Sequence, residues 1–120
     1  MSVSYAQLQQ ESPGIFTEAC PSRTVLDHIM SKWGVLVLLS LTDGTRRWGE
    51  LRRSVDGISE KMLATTLRTL AADGIVERTS YPEVPPRVEY SLTPRGIELM
   101  ERVMPLMSWI QANAEDIVTR

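Results

Sequence analysis

The side chains best suited to nucleophilic or metal chemistry are the single cysteine and the single histidine, Cys20 and His28. In a helix their spacing of eight residues corresponds to about 12 Å of rise. That distance is too long for a thiolate–imidazole pair within one chain. Neither residue has cysteine or histidine companions that could complete a zinc site, and the glycines are too scattered to form a phosphate-binding loop. We therefore expect no enzyme activity, no metal site and no cofactor.

Cys20 could instead act as a reactive thiol. It stands directly before Pro21 and close to Arg23, where a helix is expected to begin. A helix N-terminus and a nearby cation both favour the thiolate form of cysteine. A thiolate here could join its counterpart across a dimer in an intermolecular disulfide, or react with an electrophile. The alternative is an inert, partly buried cysteine. A disulfide within the chain is excluded because no second cysteine exists.

A cluster of basic side chains in the middle of the chain is the third chemical feature. Residues 46–68 carry a net charge of +3, although the whole chain carries −2 and the remainder therefore −5. A local positive patch of this kind supports salt-dependent contacts with phosphate groups even in an acidic chain. The alternative is that these arginines only solvate exposed helix faces. The basic residues of the window are Arg46, Arg47, Arg52, Arg53, Lys61 and Arg68.

Helices are predicted on both sides of a tight turn within this cluster. Apolar spacing predicts a helix from Ser22, a buried helix over 33–41 and a short helix over 46–55. Asp56-Gly57 is a turn signal, and Ser59 is a suitable N-cap for a helix that continues to about Ala72. This order is typical of a helix-turn-helix, whose second helix enters the DNA major groove. Two helices joined by a glycine turn also occur in other helical domains.

The second helix of this pair has a polar face opposite an apolar one. Leucines 63, 67 and 70 share one side, whereas Lys61, Thr65 and Arg68 occupy the other and Thr66 and Thr69 flank it. Lysine and threonine can meet base edges, and arginine meets phosphate or guanine. The predicted DNA-binding residues are Arg46, Arg47, Arg53, Ser59, Lys61, Thr65, Thr66, Arg68, Thr69 and Arg87.

A hairpin is predicted directly after that helix. Strands are expected over 75–81 and 87–92, because Val88, Tyr90 and Leu92 alternate with polar residues. The stretch YPEVPPRVEYSLT places three prolines at the tip, which lowers the entropy lost on docking, and Arg87 could then reach phosphate or the minor groove. The alternative is a proline-rich turn that only fixes the hairpin register. A helix-turn-helix followed by a hairpin predicts a winged helix.

The last helix carries more apolar surface than a terminal helix of a small domain needs. Thr93 and Pro94 suit its N-cap and first position, it should continue to about Val118, and Pro105 should kink or interrupt it. Intrachain packing is the alternative, but a homodimer interface explains this surface better. Its apolar residues are Ile97, Met100, Val103, Met104, Met107, Trp109, Ile110 and Ile117.

Several sequence blocks resemble the HxlR-type branch of bacterial winged-helix transcription regulators, which is related in fold to the MarR group. The resemblance covers about 20–110 and rests on Cys20-Pro21, Lys32-Trp33 and RRWGELRRSVDGISEKMLATTLRTLAADGIVERTSYPEVPPRVEYSLTPRG. Ile29-Met30-Ser31 and Trp48 depart from the pattern, where glycines and phenylalanine are expected. The resemblance implies a homodimer that places two recognition helices in successive major grooves, with the first and last helices at the interface. It also implies that a cysteine before the first helix senses oxidants, quinones or aldehydes in some members.

These observations predict a mainly α protein with a small β-hairpin. A flexible N-terminal arm is expected over 1–19 and a winged helix-turn-helix domain over 20–118, with terminal helices that form a homodimer. The expected function is sequence-specific binding of double-stranded operator DNA by a cytoplasmic repressor that senses oxidants or electrophiles through Cys20. No apolar run is long enough to span a bilayer, so no membrane partner is expected. The alternatives are a regulator that binds a small apolar effector and a winged-helix module for protein interaction.

Overall fold

The computed structural model describes residues 3–119, which form a mainly helical domain with a small antiparallel sheet. The helix-turn-helix, the hairpin and the long last helix all lie where the sequence predicts them. The elements are α1 (Tyr5–Glu11), α2 (Pro21–Met30), α3 (Lys32–Leu41), β1 (Arg46–Arg47), α4 (Trp48–Ser54), α5 (Glu60–Ala72), β2 (Val76–Tyr81), β3 (Arg87–Leu92) and α6 (Pro94–Val118).

The sheet has three strands in the order β1-β3-β2, and not the two of a simple hairpin. The prediction of one short helix over 46–55 is therefore wrong at its start: Arg46 and Arg47 form strand β1, and helix α4 begins at Trp48. β1 pairs with β3 through Arg46 opposite Tyr90 and Arg47 opposite Glu89. A strand of two residues is too short to show an alternating hydrophobic pattern. Only its pairing with β3, which is distant in sequence, defines it.

The core lies between α3, α5 and the inner face of the sheet. Leu38 of α3, Leu51 of α4 and Leu63 of α5 have no solvent-exposed surface. Tyr90 of β3 and Met100 of α6 pack against the same cluster. The buried helix predicted over 33–41 and the apolar face predicted for α5 are both confirmed. This packing fixes α5 against the sheet while its opposite face stays in solvent.

Side-chain caps fix the start of the two helices that flank the hairpin. Ser59 accepts a hydrogen bond from the Met62 N–H (3.0 Å) at the start of α5, as the cap prediction required. Thr93 likewise accepts from the Gly96 N–H (3.1 Å) at the start of α6. Pro105 does not interrupt α6, which continues as one element through Val118.

The two ends of the chain extend away from this core. The predicted arm contains α1, which begins with a capping box from Ser4 and Gln7 and buries none of its residues; Met1 and Ser2 of that arm lie outside the described residues. The radius of gyration is 16.6 Å, compared with about 14 Å for a compact chain of this length. In residues 3–119 no single helix is long and apolar enough to cross a membrane, and one bent pair, α2 with α3, passes the length and composition test together.

Candidate nucleic-acid interface

The helix-turn-helix is formed by α4, the turn at 55–58 and α5. The turn closes with a hydrogen bond from the Ile58 N–H to the Val55 carbonyl (3.3 Å), and Gly57 adopts φ +83°. This left-handed conformation suits glycine, which has no Cβ. An ion pair between Arg52 and Glu60 (3.1 Å) joins α4 to the first turn of α5. The two helices are thus held at a fixed angle, and the exposed side of α5 faces outward.

The exposed side of α5 contains Lys61, Thr65 and Arg68, as the helical wheel predicts. The Arg68 guanidinium donates to the Thr65 hydroxyl (3.4 Å), so these two side chains lie together. Thr69 is half-buried at the edge of this face. Thr66 does not belong to it: only 9% of the residue is exposed, because it packs on the core side of the helix. The position of Thr66 is therefore a correction to the predicted DNA-contacting set.

Two of the predicted arginines are already engaged within the protein. Arg46 donates from Nε to the Ser40 carbonyl (2.7 Å) and lies 3.8 Å from Asp43, so it ties β1 to the end of α3. Arg87 lies 3.3 Å from the Glu83 carboxylate and 3.6 Å from Glu89. Its guanidinium also stacks on the Tyr81 ring, 4.1 Å from the centroid. Both guanidinium groups are thus engaged within the protein, and the DNA-binding roles of Arg46 and Arg87 stay predictions.

Four other predicted cations are free of carboxylates. Among the residues that the structure describes, Arg47, Arg53, Lys61 and Arg68 form no ion pair within 4.0 Å. Trp48 lies between them and lines concavities shared with α4, α5 and the hairpin. Arg47 of β1 lies opposite Glu89 in the sheet, whereas the unpaired cations of α4 and α5 form what we call the cationic face (Arg53, Lys61 and Arg68).

The hairpin, which forms the wing, carries a net negative charge. Residues 76–92 contain three glutamates and only two arginines, Arg78 and Arg87. The tip is solvent-exposed: Val84 is fully exposed, between Pro82 and Pro85. Arg78 is exposed and lies beside Arg68, although it is absent from the predicted set. No local sequence signal identifies Arg78, because its position depends on the strand register, which places it opposite Tyr90.

Cys20 occupies the N-cap position of α2, immediately before Pro21. Its Sγ lies 2.8 Å from the Ser22 hydroxyl oxygen, and that oxygen also accepts a hydrogen bond from the Phe16 N–H (3.1 Å). Since the Ser22 oxygen is used as an acceptor, its hydrogen can be donated to the sulfur. This side-chain hydrogen bond, supported by backbone N–H groups, lowers the pKa of the Cys20 thiol. The pKa of this half-buried thiol therefore lies below its ordinary value.

His28 forms a link between helices and does not approach Cys20. Its Nδ1 lies 2.7 Å from the carboxylate of Asp73, the C-cap residue of α5. The contact joins α2 to the end of the recognition helix. No group of three or more metal-binding side chains occurs in residues 3–119.

An exposed recognition helix, a tight turn before it and a β2–β3 wing after it, joined to β1 in one sheet, define a winged helix-turn-helix. The sequence pattern of the HxlR-like helix-turn-helix family matches residues 28–118. The chain therefore belongs to the HxlR-like helix-turn-helix family of transcriptional regulators, which are not enzymes.

Relatives and solved structures agree with this assignment. The HTH-type transcriptional regulator YtfH of Escherichia coli (strain K12) is 49% identical over 97% of this chain and 91% of its own. The structure of the YtfH transcriptional regulator from Salmonella typhimurium superposes with a TM-score of 0.81, at 51% identity, over 88% of this chain and 94% of that one. The redox regulator HypR in its oxidized form gives 0.72, at 42% identity, over 78% and 97%. The fold and the regulator class predicted from sequence are thus confirmed.

Proposed function

We propose that this protein is a sequence-specific repressor that binds operator DNA as a homodimer and responds to thiol-reactive oxidants or electrophiles through Cys20. The observation that carries the DNA-binding part is the cationic face, whose exposed side chains form no ion pair within 4.0 Å in the described part of the chain. Lys61 and Thr65 are placed to meet base edges in the major groove, and Arg53 to meet the phosphates beside it. Retention of these cations also favours DNA over a protein-interaction role.

The homodimer is supported by apolar surface on the elements that extend from the core. Trp109, Ile110 and Ile117 of α6 are 57%, 43% and 52% exposed. Helix α1 has seven residues and no buried side chain, and a helix this short is not stable in water by itself. Packing of α1 and α6 against a second copy would bury both. A two-fold axis there would present two α5 helices to half-sites about 34 Å apart.

Replacing Trp109 by glutamate is expected to dissociate the dimer. A large aromatic side chain near the middle of an apolar helix surface is a typical interface hot spot, so we expect the dimer dissociation constant to rise by at least about 30-fold. Sedimentation equilibrium should then give the mass of one chain instead of two at micromolar concentration. Val84→Glu, which places the same charge at the fully exposed wing tip, should remain dimeric. A dimeric Trp109→Glu variant would argue against this interface.

The proposed redox step joins Cys20 to Cys20 of the partner subunit. Each thiol loses one proton and one electron as the sulfur–sulfur bond forms. With diamide as oxidant, the two electrons and two protons reduce its N=N bond to a hydrazine. The lowered pKa of the Cys20 thiol supports this reactivity, and so does the similarity to the redox regulator HypR.

The contact between His28 and Asp73 provides a physical route from Cys20 to DNA. Cys20 occupies the N-cap position of α2, and His28 lies in the last turn of the same helix. Because His28 binds the C-cap residue of α5, a displacement of α2 must either move the recognition helix or break a 2.7 Å hydrogen bond. Oxidation at Cys20 could thereby change the presentation of the cationic face.

The proposed function is tested by binding of the reduced protein to the DNA that flanks its own gene, before and after diamide. We expect tight, salt-sensitive binding that oxidation changes by at least about tenfold, and no such change in Cys20→Ser. In Ser22→Ala the hydrogen bond that lowers the pKa of Cys20 is lost. Alkylation of Cys20 by iodoacetamide should therefore require a higher pH in Ser22→Ala than in the wild-type protein. An oxidant response that persists in Cys20→Ser would refute the sensing role.

A ligand-responsive regulator is the second candidate, and one observation favours it. A small, mainly apolar cleft of about 180 Å³ is lined by Leu92, Ile97, Met100 and Met104, with Thr42 and Glu101 at its polar side. A small apolar effector could bind there, although Trp109 does not line this cleft. Specific DNA binding that is indifferent to diamide would support this alternative over thiol sensing.

A further inference from the structure

The two faces of the wing sheet carry different arginines. Strand pairing places Arg46, Tyr90 and Arg78 in one row across β1, β3 and β2. Paired residues of antiparallel strands point to the same face, and buried Tyr90 lines the groove against α5. Arg78 therefore lies on the inner face, next to the recognition helix. Side chains alternate between the two faces along a strand. Because Val88 and Tyr90 face inward, Arg87, which directly precedes Val88, points to the outer face.

Arg87 is poorly placed to bind DNA. On the outer face it is enclosed by the Glu83 and Glu89 carboxylates and by the Tyr81 ring. Phosphate would have to replace two carboxylate partners, and those carboxylates would repel it. Only 28% of the Arg87 side chain is exposed, which fits a brace within the wing.

Arg78 has the opposite surroundings. One of its terminal nitrogens donates to the Ser80 hydroxyl (2.9 Å), which orients the guanidinium and leaves its remaining N–H groups free. It forms no ion pair within 4.0 Å in the described part of the chain. Arg68 lines the same groove, and no acidic side chain does; Trp48 and Tyr90 are its aromatic residues.

We propose that Arg68 and Arg78 form a seat for a backbone phosphate of the bound DNA, and that Arg78 is the wing cation that contacts DNA. Two guanidinium groups without a counter-ion in one groove of about 340 Å³ attract an anion. Phosphate accepts hydrogen bonds from arginine in bidentate geometry. The position beside the exposed side of α5 is where the backbone next to the major groove would pass. This inference rests on the proposed DNA binding and adds a contact to it.

Salt titrations of single variants separate the two arginines. The probes are a duplex of the region upstream of the protein's own gene and a random-sequence duplex of equal length. Arg78→Gln is expected to lower affinity about tenfold on both duplexes and to reduce the slope of log K against log salt by about one. Arg78→Lys should keep the slope, because lysine retains the charge. Arg87→Gln should leave the slope unchanged, and thermal melting of each variant will show that the wing remains folded.

The possible outcomes separate this inference from the proposed function. The phosphate seat would be overturned if Arg78→Gln kept the wild-type salt dependence, or if only Arg87→Gln reduced it. The proposal that the protein binds DNA would be unaffected by either result. A loss in Arg78→Gln on the upstream duplex only would also overturn it, since a phosphate contact is independent of sequence. If the wild-type protein binds neither duplex, both proposals fall.

Discussion

Lys61→Ala combined with Arg68→Ala is expected to weaken binding to the specific duplex about 100-fold, or by about 2.7 kcal/mol. Both side chains lie on the exposed side of α5, and neither forms an internal ion pair. Their removal therefore costs the free protein no interaction beyond the weak bond from Arg68 to Thr65. The effect should appear in the complex alone. Fluorescence anisotropy across a salt series measures the affinity, and its salt dependence shows how many phosphates the two side chains neutralise.

A matched variant controls for the change in net charge. Arg95→Ala combined with Arg102→Ala removes the same charge from exposed positions of α6. Because neither arginine belongs to α4 or α5, we expect a change of less than about threefold, from long-range electrostatics only. Equal decreases in affinity in the two double variants would mean that net charge, and not the cationic face, governs DNA binding.

Local sequence signals predicted the helices that carry the interface. The period of Leu63, Leu67 and Leu70 and the cap at Ser59 define α5 without reference to any other part of the chain. The cap at Thr93 defines the start of α6 in the same way. Strand β1 shows the limit of such signals, since Arg46 and Arg47 become a strand only through their pairing with β3.

The individual site residues were predicted less completely. Contacts with residues distant in sequence decide whether each side chain is free to bind DNA. A helical wheel alone was enough to predict that Lys61 and Thr65 are exposed. The sequence did not show that Arg87 forms ion pairs within the wing. The strand register decides which side of the sheet its side chain faces, and that side brings it to the carboxylates of Glu83 and Glu89. Arg78 has no motif of its own and is placed beside Arg68 only by the packing of β2 on α5. Thr66 lies close enough to the boundary of the helix face that packing decided its burial.

The junction between the wing and α6 determines whether the DNA-binding unit and the proposed dimer helix move as one body. The Ile75 carbonyl, just before β2, accepts hydrogen bonds from the Thr93 backbone N–H (3.0 Å) and from its hydroxyl (3.1 Å). The hydroxyl hydrogen is shared with the Gly74 carbonyl (2.6 Å), and the hydroxyl oxygen accepts from the Gly96 N–H at the start of α6. Gly96, in the first turn of α6, is buried directly against the Ile75 carbonyl.

Gly96→Ala is therefore expected to destabilise the fold by at least about 2–3 kcal/mol, the range of an overpacked core site. A Cβ at Gly96 would overlap the Ile75 carbonyl oxygen and approach the Leu92 side chain to 3.2 Å. The carbonyl cannot retreat without breaking its bonds to Thr93, so α6 must shift. A domain of this size loses roughly 4 °C or more of melting temperature per kcal/mol, and calorimetry should record a fall of about 10 °C.

Gly49→Ala is the matched control for this substitution. Gly49 lies in the first turn of α4, and its added Cβ would meet only the end of the Arg53 side chain, at 3.4 Å. Alanine is the better helix former, so its melting temperature should equal or exceed that of the wild type. A Gly96→Ala protein that melts within about 2 °C of the wild type would show that α6 can move away from the wing at little cost. The recognition helix and the proposed dimer helix would then be hinged at Thr93, and α6 could not hold the two cationic faces of a dimer at a fixed separation.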